Sequence, residues 1–170
     1  APGGEEDEGF GSRVAAVEIS PRAGLARTVW LDEKGEMLGA LRAFLSDASR
    51  PKIVHDPKLV ELLTGPVAGI RHATQLYAYL LRPTTAKHSL PDAVARHLNA
   101  ALSGAASESA DFLQRLAPIL RAEVEAQHLA KLYETMDLPL ASILARMERA
   151  GVLVDPAALA KMSATMETEI

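Results

Sequence analysis

Histidines, cysteines and short catalytic motifs are the features of this sequence that could most directly indicate chemistry. Five histidines are present, and their spacing does not match the ligand pattern of a zinc site: His55, His72, His88, His97 and His128. We expect each of them to lie at the surface or to be satisfied within the core. The chain has no cysteine, which excludes disulfide bonds, zinc–thiolate sites and thiol catalysis. It also lacks a glycine-rich phosphate-binding loop and the Gly-x-Ser-x-Gly motif. Carboxylates are therefore the side chains whose chemistry has to be weighed.

The charge balance argues against tight, independent binding to nucleic acid. The 170 residues carry a formal net charge of −4, from 18 basic and 22 acidic residues. Residues 5–8 form one acidic run, and the rest of the chain is neutral. Because independent nucleic-acid binding normally needs a basic face, we expect any DNA contact to be made as part of a larger protein.

The two ends of the sequence indicate a piece of a longer protein. Residues 1–12 are rich in glycine and acids, and we expect them to form a disordered acidic linker. The chain does not begin with Met, and its last helical pattern continues to Ile170, so we expect a fragment. No apolar signal segment and no stretch of roughly 20 apolar residues is present. We therefore expect a cytoplasmic protein without membrane contact, and a monomer.

Strand-forming segments come early in the chain and helical segments come late. Two β-prone runs, at 14–19 and 25–31, are joined by a turn-rich connection and predict a hairpin. Short strands are expected at 52–55 and near Ile70. Helices are expected at 36–47, 57–63, 74–81, 89–102, 110–136, 139–150 and 156–170. The fold class is therefore α/β, with a small mixed sheet flanked by helices and followed by a helical segment.

The segment 132–155 (LYETMDLPLASILARMERAGVLVD) has the pattern of two helices that meet at a corner. One apolar helical face is formed by Leu140, Ile143, Leu144 and Met147. Gly151 permits the positive φ of a helix C-terminus, and Asp155 is placed to cap the next helix. On these residues alone, the segment is a structural corner and not a catalytic site.

The same segment resembles the connection between the 3′–5′ exonuclease-like domain and the polymerase domain of bacterial DNA polymerase I, a family A polymerase. The shared pattern consists here of Asp137, Pro139-Leu140, Met147-Glu148, Gly151-Val152 and Val154-Asp155. Upstream, residues 52–63, 71–83 and 87–98 are similar to three stretches of the exonuclease domain of that family. The resemblance covers about residues 13–170.

This resemblance implies a fold, a domain organisation and partners. It implies a ribonuclease H-like 3′–5′ exonuclease fold for residues 13–136, and the connector with the first polymerase-domain helices for residues 137–170. DNA and the polymerase domain would be the partners, through a parent polymerase that acts in replication and repair. Mg²⁺ is expected for that parent, and no cofactor is expected in this fragment.

The exonuclease motif is degenerate when the resemblance is carried onto this sequence. Proofreading members hold two divalent ions with carboxylates and a tyrosine that orients water, because Mg²⁺ and Mn²⁺ prefer oxygen ligands. The corresponding positions here are occupied by Ala16, Glu18, Val60, Leu120 and Val124. Ala73 stands where another motif of the family begins with Asp. Since apolar side chains do not hold cations, the resemblance predicts no catalytic residue, no metal site and a collapsed cleft.

A few acidic side chains near these positions are weaker metal candidates. They are Glu18, Asp56 and Glu123, with Glu125 beside the last of them. Each has a simpler interpretation. Glu18 fits a solvent-facing strand position, Asp56 fits the N-cap of the helix at 57–63, and the glutamates fit the exposed side of the long helix.

Three functions remain open at this point. The first is a vestigial exonuclease domain that supports the DNA-synthesising domain. The second is an active metal-dependent 3′–5′ exonuclease that proofreads with displaced carboxylates. The third, with less support, is a free-standing domain that binds a partner. Whether the fragment is itself an enzyme is left undecided by the sequence.

Overall fold

The computed structural model describes residues 15–31, 35–105 and 107–169. The expected acidic linker at 1–12 lies outside the described residues, as do residue 14 of the first expected strand and residues 32–34 after the second. The predicted hairpin is confirmed: β1 (Ala16–Ile19) pairs antiparallel with β2 (Arg27–Trp30). Its connecting turn is closed by the Leu25 amide, which donates to the Arg22 carbonyl at 3.0 Å.

The other elements follow the predicted order with few changes in their bounds. The next elements along the chain are α1 (Glu36–Ser46), β3 (Lys52–Val54), α2 (Pro57–Thr64), β4 (Ile70–Ala73), α3 (Thr74–Leu81) and α4 (Leu90–Leu98). They are followed by α5 (Glu108–Ala126), α6 (Ala130–Leu132), a π-helical turn (Tyr133–Asp137), α7 (Leu138–Ala150) and α8 (Pro156–Glu169). The chain is thus mixed α/β, with its strands early and its helices late.

The sequence predicts a single mixed sheet, and this prediction is wrong. The described residues form two separate two-stranded sheets. The second sheet pairs β3 with β4 in parallel, and the register slips between Lys52 and Ile53. The hairpin does not join this sheet, and its turn is bonded to α5. The Gln114 side chain donates to the Ser20 carbonyl at 2.5 Å, and the Asp111 carboxylate accepts from the Gly24 amide.

The helices α3, α4 and α5 enclose the main core together with the parallel strand pair. The core cluster consists of Val54, Ala73, Tyr77, Ala93, Val94, Phe112, Leu116, Leu120, Val124 and Tyr133. Although aromatic residues make up only 4% of the sequence, Tyr77 and Tyr133 are the largest fully buried side chains. Their ring centroids lie 4.3 Å apart, so this pair joins α3 to the π-helical turn at the centre of the core.

The single helix expected over 110–136 is wrong, because helix α5 ends at Ala126. His128 adopts a left-handed backbone with φ of 60°. Its amide donates to the Glu125 carbonyl at 3.0 Å, and the Leu129 amide donates to the Val124 carbonyl at 2.9 Å, which together form a Schellman-type helix end. The helix at 89–102 also ends early, at Leu98, because Asn99 takes the left-handed conformation with φ of 47°. Asn and His tolerate this conformation better than most residues, but neither marks a helix end as clearly as Gly does.

Candidate functional site

Three of the four apolar residues at the expected exonuclease positions lie in or against the core. Leu120 and Val124 are one helical turn apart on α5, and both are fully buried. Val60, on α2, is half-buried and packs against the same cluster. Two of these positions are therefore part of the apolar core, and the third borders it. Burial of Val and Leu side chains contributes roughly 1.5 to 3 kcal/mol each relative to exposure.

Glu18 lies on β1 and faces the first turn of α5. Its Oε2 accepts a hydrogen bond from the Ala110 amide at 3.4 Å. Glu123 lies more than three helical turns further along α5, about 20 Å from Ala110 at about 1.5 Å of rise per residue. The carboxylates of Glu18 and Glu123 are therefore too far apart to share one metal site. Ala16 lies at the other end of β1, half-buried and opposite Trp30.

Asp56 and Glu123 have local partners of their own. The Asp56 carboxylate accepts from the Leu59 amide at 2.9 Å, which confirms its role as N-cap of α2. Glu123 lies 3.0 Å from His97 Nδ1, and the ring of His97 is buried between α4 and α5. The Asp56 carboxylate therefore pairs with a backbone amide of α2, and the Glu123 carboxylate pairs with the His97 ring.

The donor set does not fit a pair of divalent cations. Mg²⁺ and Mn²⁺ need several oxygen ligands that converge on one point. Across 15–31, 35–105 and 107–169, no group of three or more His, Asp or Glu side chains is arranged to hold a metal ion. Four of the five motif positions hold apolar side chains, and the carboxylates of Glu18, Asp56 and Glu123 have separate local partners. We derive no metal-dependent step for these residues.

An open cavity of about 480 Å³ lies along the outer edge of β4. Its lining consists of Ile70, Arg71, His72, Arg121, Glu125, Tyr133, Glu134 and Leu138. Arg121 forms ion pairs with Glu125 at 2.5 Å and with Glu134 at 2.8 Å, so the charges that border the cavity largely neutralise one another. Sequence reasoning missed this cavity because its lining comes from three separate stretches of the chain and matches no motif.

The Tyr133 hydroxyl closes the inner end of that cavity. It accepts from the Ala73 amide at 2.9 Å and donates to the Arg71 carbonyl at 3.3 Å. Burial raises the pKa of Tyr133, and its proximity to Tyr77 raises it further. The phenol is therefore neutral at physiological pH and serves the backbone of β4 as donor and acceptor at once.

Helix α7 is fixed to α2 by polar contacts that the sequence did not suggest. The buried Glu61 carboxylate accepts from the Ser142 hydroxyl at 3.0 Å. The Arg149 guanidinium donates to the carbonyls of Glu61 at 2.7 Å and Leu62 at 3.3 Å, which belong to the last turn of α2. Cations are favoured at this end of a helix by its dipole. The contacts hold α7 in one orientation against the α/β part of the chain.

The apolar face expected on α7 is present, but it faces outward. Ala141 and Ala145 are buried on the side that packs on α2, whereas the larger apolar residues are about half exposed: Leu140, Ile143, Leu144 and Met147. The corner that follows is as predicted. Gly151 has φ of 68°, and the Asp155 carboxylate accepts from the amides of Ala157 and Ala158. Val152 and Leu153 in this corner are almost fully exposed, so the apolar surface continues beyond α7.

The five histidines occupy different environments, and four of them bear out the expectation of satisfied or surface positions. His55, His72 and His97 have hydrogen-bonding partners, and His128 is exposed. His88 departs from the expectation, because both its ring nitrogens are buried without a hydrogen-bonding partner.

Comparison with known proteins relates the chain to DNA polymerases. No family model matches it. DNA polymerase I of Mycobacterium leprae is 29% identical over 158 residues, which covers 77% of this chain and 17% of that protein. The thermostable DNA polymerase I of Thermus thermophilus is 36% identical over 96 residues, covering 56% of this chain and 11% of that protein.

A solved structure, the "POL domain of Pol1 from M. smegmatis complex with DNA primer-template and dNTP", has a similar fold. It matches this chain with a TM-score of 0.74 at 29% identity, and the match covers 84% of this chain and 27% of that one. The chain spans only 11% to 17% of the length of the two curated relatives. Within the described residues, no helix is long and apolar enough to span a membrane. The chain is a relative of a segment of bacterial DNA polymerase I.

Proposed function

We propose that this relative of a segment of bacterial DNA polymerase I is a vestigial 3′–5′ exonuclease domain of ribonuclease H-like descent, joined to the start of a polymerase domain. In this proposal residues 13–136 no longer cut DNA, and residues 137–170 connect them to the DNA-synthesising part of a parent polymerase. The parent would act on DNA in replication and repair in the cytoplasm, and its Mg²⁺ would be held outside this fragment.

The observation that carries the proposal is the burial of Leu120 and Val124. A carboxylate needs water, a partner or a metal ion to stay charged, and an unpaired buried charge is strongly disfavoured. At these two positions the structure has side chains with no exposed surface in a hydrocarbon cluster. The substitution by apolar residues of the acid expected at Val124 and of the tyrosine expected at Leu120 would both remove groups of the metal site and fill the space between the helices.

A supporting role for the domain accounts for the surfaces that the fold leaves open. Helix α7 is fixed to α2 on one side through Glu61 and Arg149. On its other side it exposes an apolar face that continues into Val152 and Leu153. Exposed apolar surface of this kind is typical of an interface with another part of a protein. We assign this face to contact with the polymerase domain that the longer relatives contain.

The proposal is tested by nuclease assay on the 170-residue chain. A single-stranded DNA labelled at its 5′ end is incubated with Mg²⁺ or Mn²⁺, with EDTA as the negative control and a proofreading polymerase as the positive control. We expect no shortening of the label-bearing strand above the EDTA background, even at enzyme concentrations equal to the DNA.

The alternative function, proofreading by displaced carboxylates, predicts a different outcome. Metal-dependent shortening from the 3′ end that is lost in Glu18→Gln would contradict the vestigial role and establish the alternative. The same conclusion would follow from calorimetry if Mn²⁺ bound with saturation at two sites per chain. Activity that persists in Glu18→Gln and separates from the chain on further purification would instead identify a contaminating nuclease. The assay would then be repeated on the repurified chain.

A further inference from the structure

The segment 82–89, which connects α3 to α4, is held to the body of the protein by His55. His55 is the residue after strand β3, and its ring lies between Thr74 and His88. Its Nε2 is 3.1 Å from the His88 carbonyl, and its Nδ1 is 2.8 Å from the Thr74 hydroxyl at the start of α3. One imidazole therefore connects β3, α3 and the segment that leads into α4.

The two partners determine the protonation state that fits this site. A carbonyl oxygen only accepts, so His55 Nε2 carries a hydrogen. In the neutral ring Nδ1 is then an acceptor, and the Thr74 hydroxyl donates to it. A second proton on the ring would place an N–H against that hydroxyl and turn its hydrogen away. Thr74 is fully buried, so the hydroxyl hydrogen would have to find another acceptor inside the protein.

The His88 ring makes a second contact between the segment and α3. Both its ring nitrogens are buried without a hydrogen-bonding partner, and its ring lies edge-on to Tyr79, with centroids 5.6 Å apart and an interplanar angle of 86°. This ring contact belongs to the closed form of the segment.

The charged and titratable groups around the His55 ring do not offset the effect of its burial. Burial has the largest effect and lowers the pKa of His55 below its ordinary value, whereas the bond to the His88 carbonyl and the charge of Asp56 raise it. His88 faces His55 from the connecting segment and Tyr79 borders His88 from α3. Asp92, in the first turn of α4, accepts from the Ser89 hydroxyl at 2.6 Å at the end of the segment.

We propose that His55 forms an acid-sensitive latch that keeps the segment 82–89 closed while its ring is neutral. The other hydrogen bonds of the segment are local: the Arg82 amide donates to the carbonyls of Ala78 and Tyr79, the Thr85 amide donates to the Arg82 carbonyl, and the Ser89 hydroxyl donates to Asp92. When the segment opens, the His55 imidazole reaches water and can take up a proton at an ordinary histidine pKa of about 6.5. The closed form therefore loses stability relative to the open form as the pH falls through about 6.5, by up to roughly tenfold between pH 7.5 and 5.5.

Amide hydrogen exchange of the full chain measures this opening directly. Exchange is followed by mass spectrometry at pH 7.5 and 5.5, and the rates are corrected for the intrinsic effect of pH. We expect peptides that cover 82–89 and the first turn of α4 to open at least fivefold more at pH 5.5, while peptides from α1 change less than twofold. An equal change in both regions, or no change in 82–89, would overturn the latch.

Two variants separate the latch from general acid sensitivity. His55→Gln keeps a donor for the His88 carbonyl without a titrating ring, and we expect it to exchange in 82–89 at nearly the same corrected rate at both pH values. His128→Asn is the matched control, because it removes an exposed histidine at a backbone conformation that Asn tolerates, and it should keep the wild-type pH dependence. A His55→Gln variant that keeps that dependence would contradict the proposal.

Discussion

The Tyr133 hydroxyl lies 2.9 Å from the Ala73 amide nitrogen and closes the outer edge of strand β4. The same oxygen donates to the carbonyl of Arg71, two residues earlier on that strand. These are the donor and acceptor that a further strand would have paired with, because alternate residues of a strand present their backbone groups to the same side. One buried phenol thus takes the place of a missing neighbouring strand and blunts an exposed sheet edge.

Tyr133→Phe should destabilise the chain although it removes only one oxygen. The change leaves the buried Ala73 amide of β4 without its partner, whereas the Arg71 carbonyl keeps the bond from the Tyr77 hydroxyl at 3.5 Å. The unpaired amide costs about 1 to 3 kcal/mol of the free energy of unfolding. Urea denaturation followed by circular dichroism measures the loss. Tyr79→Phe is the control, because Tyr79 is half exposed, and it should stay within about 0.5 kcal/mol of wild type. Equal losses in the two variants would show that the Tyr133 hydroxyl does not stabilise β4.

Local signals in the sequence predicted much of this fold. The helix at 74–81 has the observed bounds, Asp56 caps α2 as predicted, and Gly151 ends α7 with the positive φ that glycine allows. These features depend on backbone preferences of a few neighbouring residues, which a sequence displays directly. The end of α5 was missed because His128, which takes the left-handed position there, is not a residue that normally signals a helix end.

Features that depend on distant partners could not be predicted from the sequence. The hairpin forms a sheet separate from the other two strands, and Glu18 and Ser20 bind partners on α5 that lie more than 90 residues later in the chain. The sequence places the larger apolar residues of α7 on one helical face, yet the small Ala141 and Ala145 are the residues that are buried. Periodicity shows which residues share a helix face, but it does not show which face the rest of the protein covers.

Val124→Asp should unfold the chain and not restore a metal site. Val124 is fully buried, so a carboxylate there would be desolvated without a charged partner among its core neighbours, at a cost of about 3 kcal/mol or more. Ala122→Asp provides the matched control, because it places the same charge at an exposed position of the same helix. We expect the control to unfold near the wild-type urea midpoint and Val124→Asp to unfold well below it. A folded Val124→Asp that gains Mn²⁺ binding would show that the cleft is still open to cations.

Arg149→Met should loosen α7 from α2. Met keeps much of the apolar length of the side chain but removes the hydrogen bonds to the carbonyls of Glu61 and Leu62. We expect a loss of about 1 to 2 kcal/mol and faster amide exchange in α7. Arg146→Met changes an exposed arginine of the same helix and should leave exchange in α7 unaltered. If both variants behave alike, the position of α7 does not depend on the Arg149 contacts.

Asp137→Asn should stabilise the chain at neutral pH, with a benefit that disappears in acid. The Asp137 Oδ2 atom is buried without a hydrogen-bonding partner, and burial raises the pKa of this carboxyl. A raised pKa means that the folded state disfavours the ionised form, so removal of the charge should increase the free energy of unfolding at pH 7. As the pH falls through the raised pKa, the wild-type carboxyl becomes neutral and the two proteins converge. Thermal unfolding from pH 7 to pH 4 measures the difference, and a constant difference over that range would rule out ionisation of Asp137 as its cause.

Leu144→Ser distinguishes an apolar face that is covered in a larger protein from one that is simply exposed. In the isolated 170-residue chain Leu144 is about half exposed on α7, so the substitution should change the free energy of unfolding by no more than about 0.5 kcal/mol. In a parent polymerase that contains this segment, burial of the same side chain against the polymerase domain would make the substitution cost about 2 kcal/mol. Melting temperatures of both proteins, each with and without the change, give the comparison. Arg146→Ser on an exposed side of the same helix serves as the control in both contexts. A Leu144→Ser variant that is neutral in the long protein as well would remove the interface that we assign to this face.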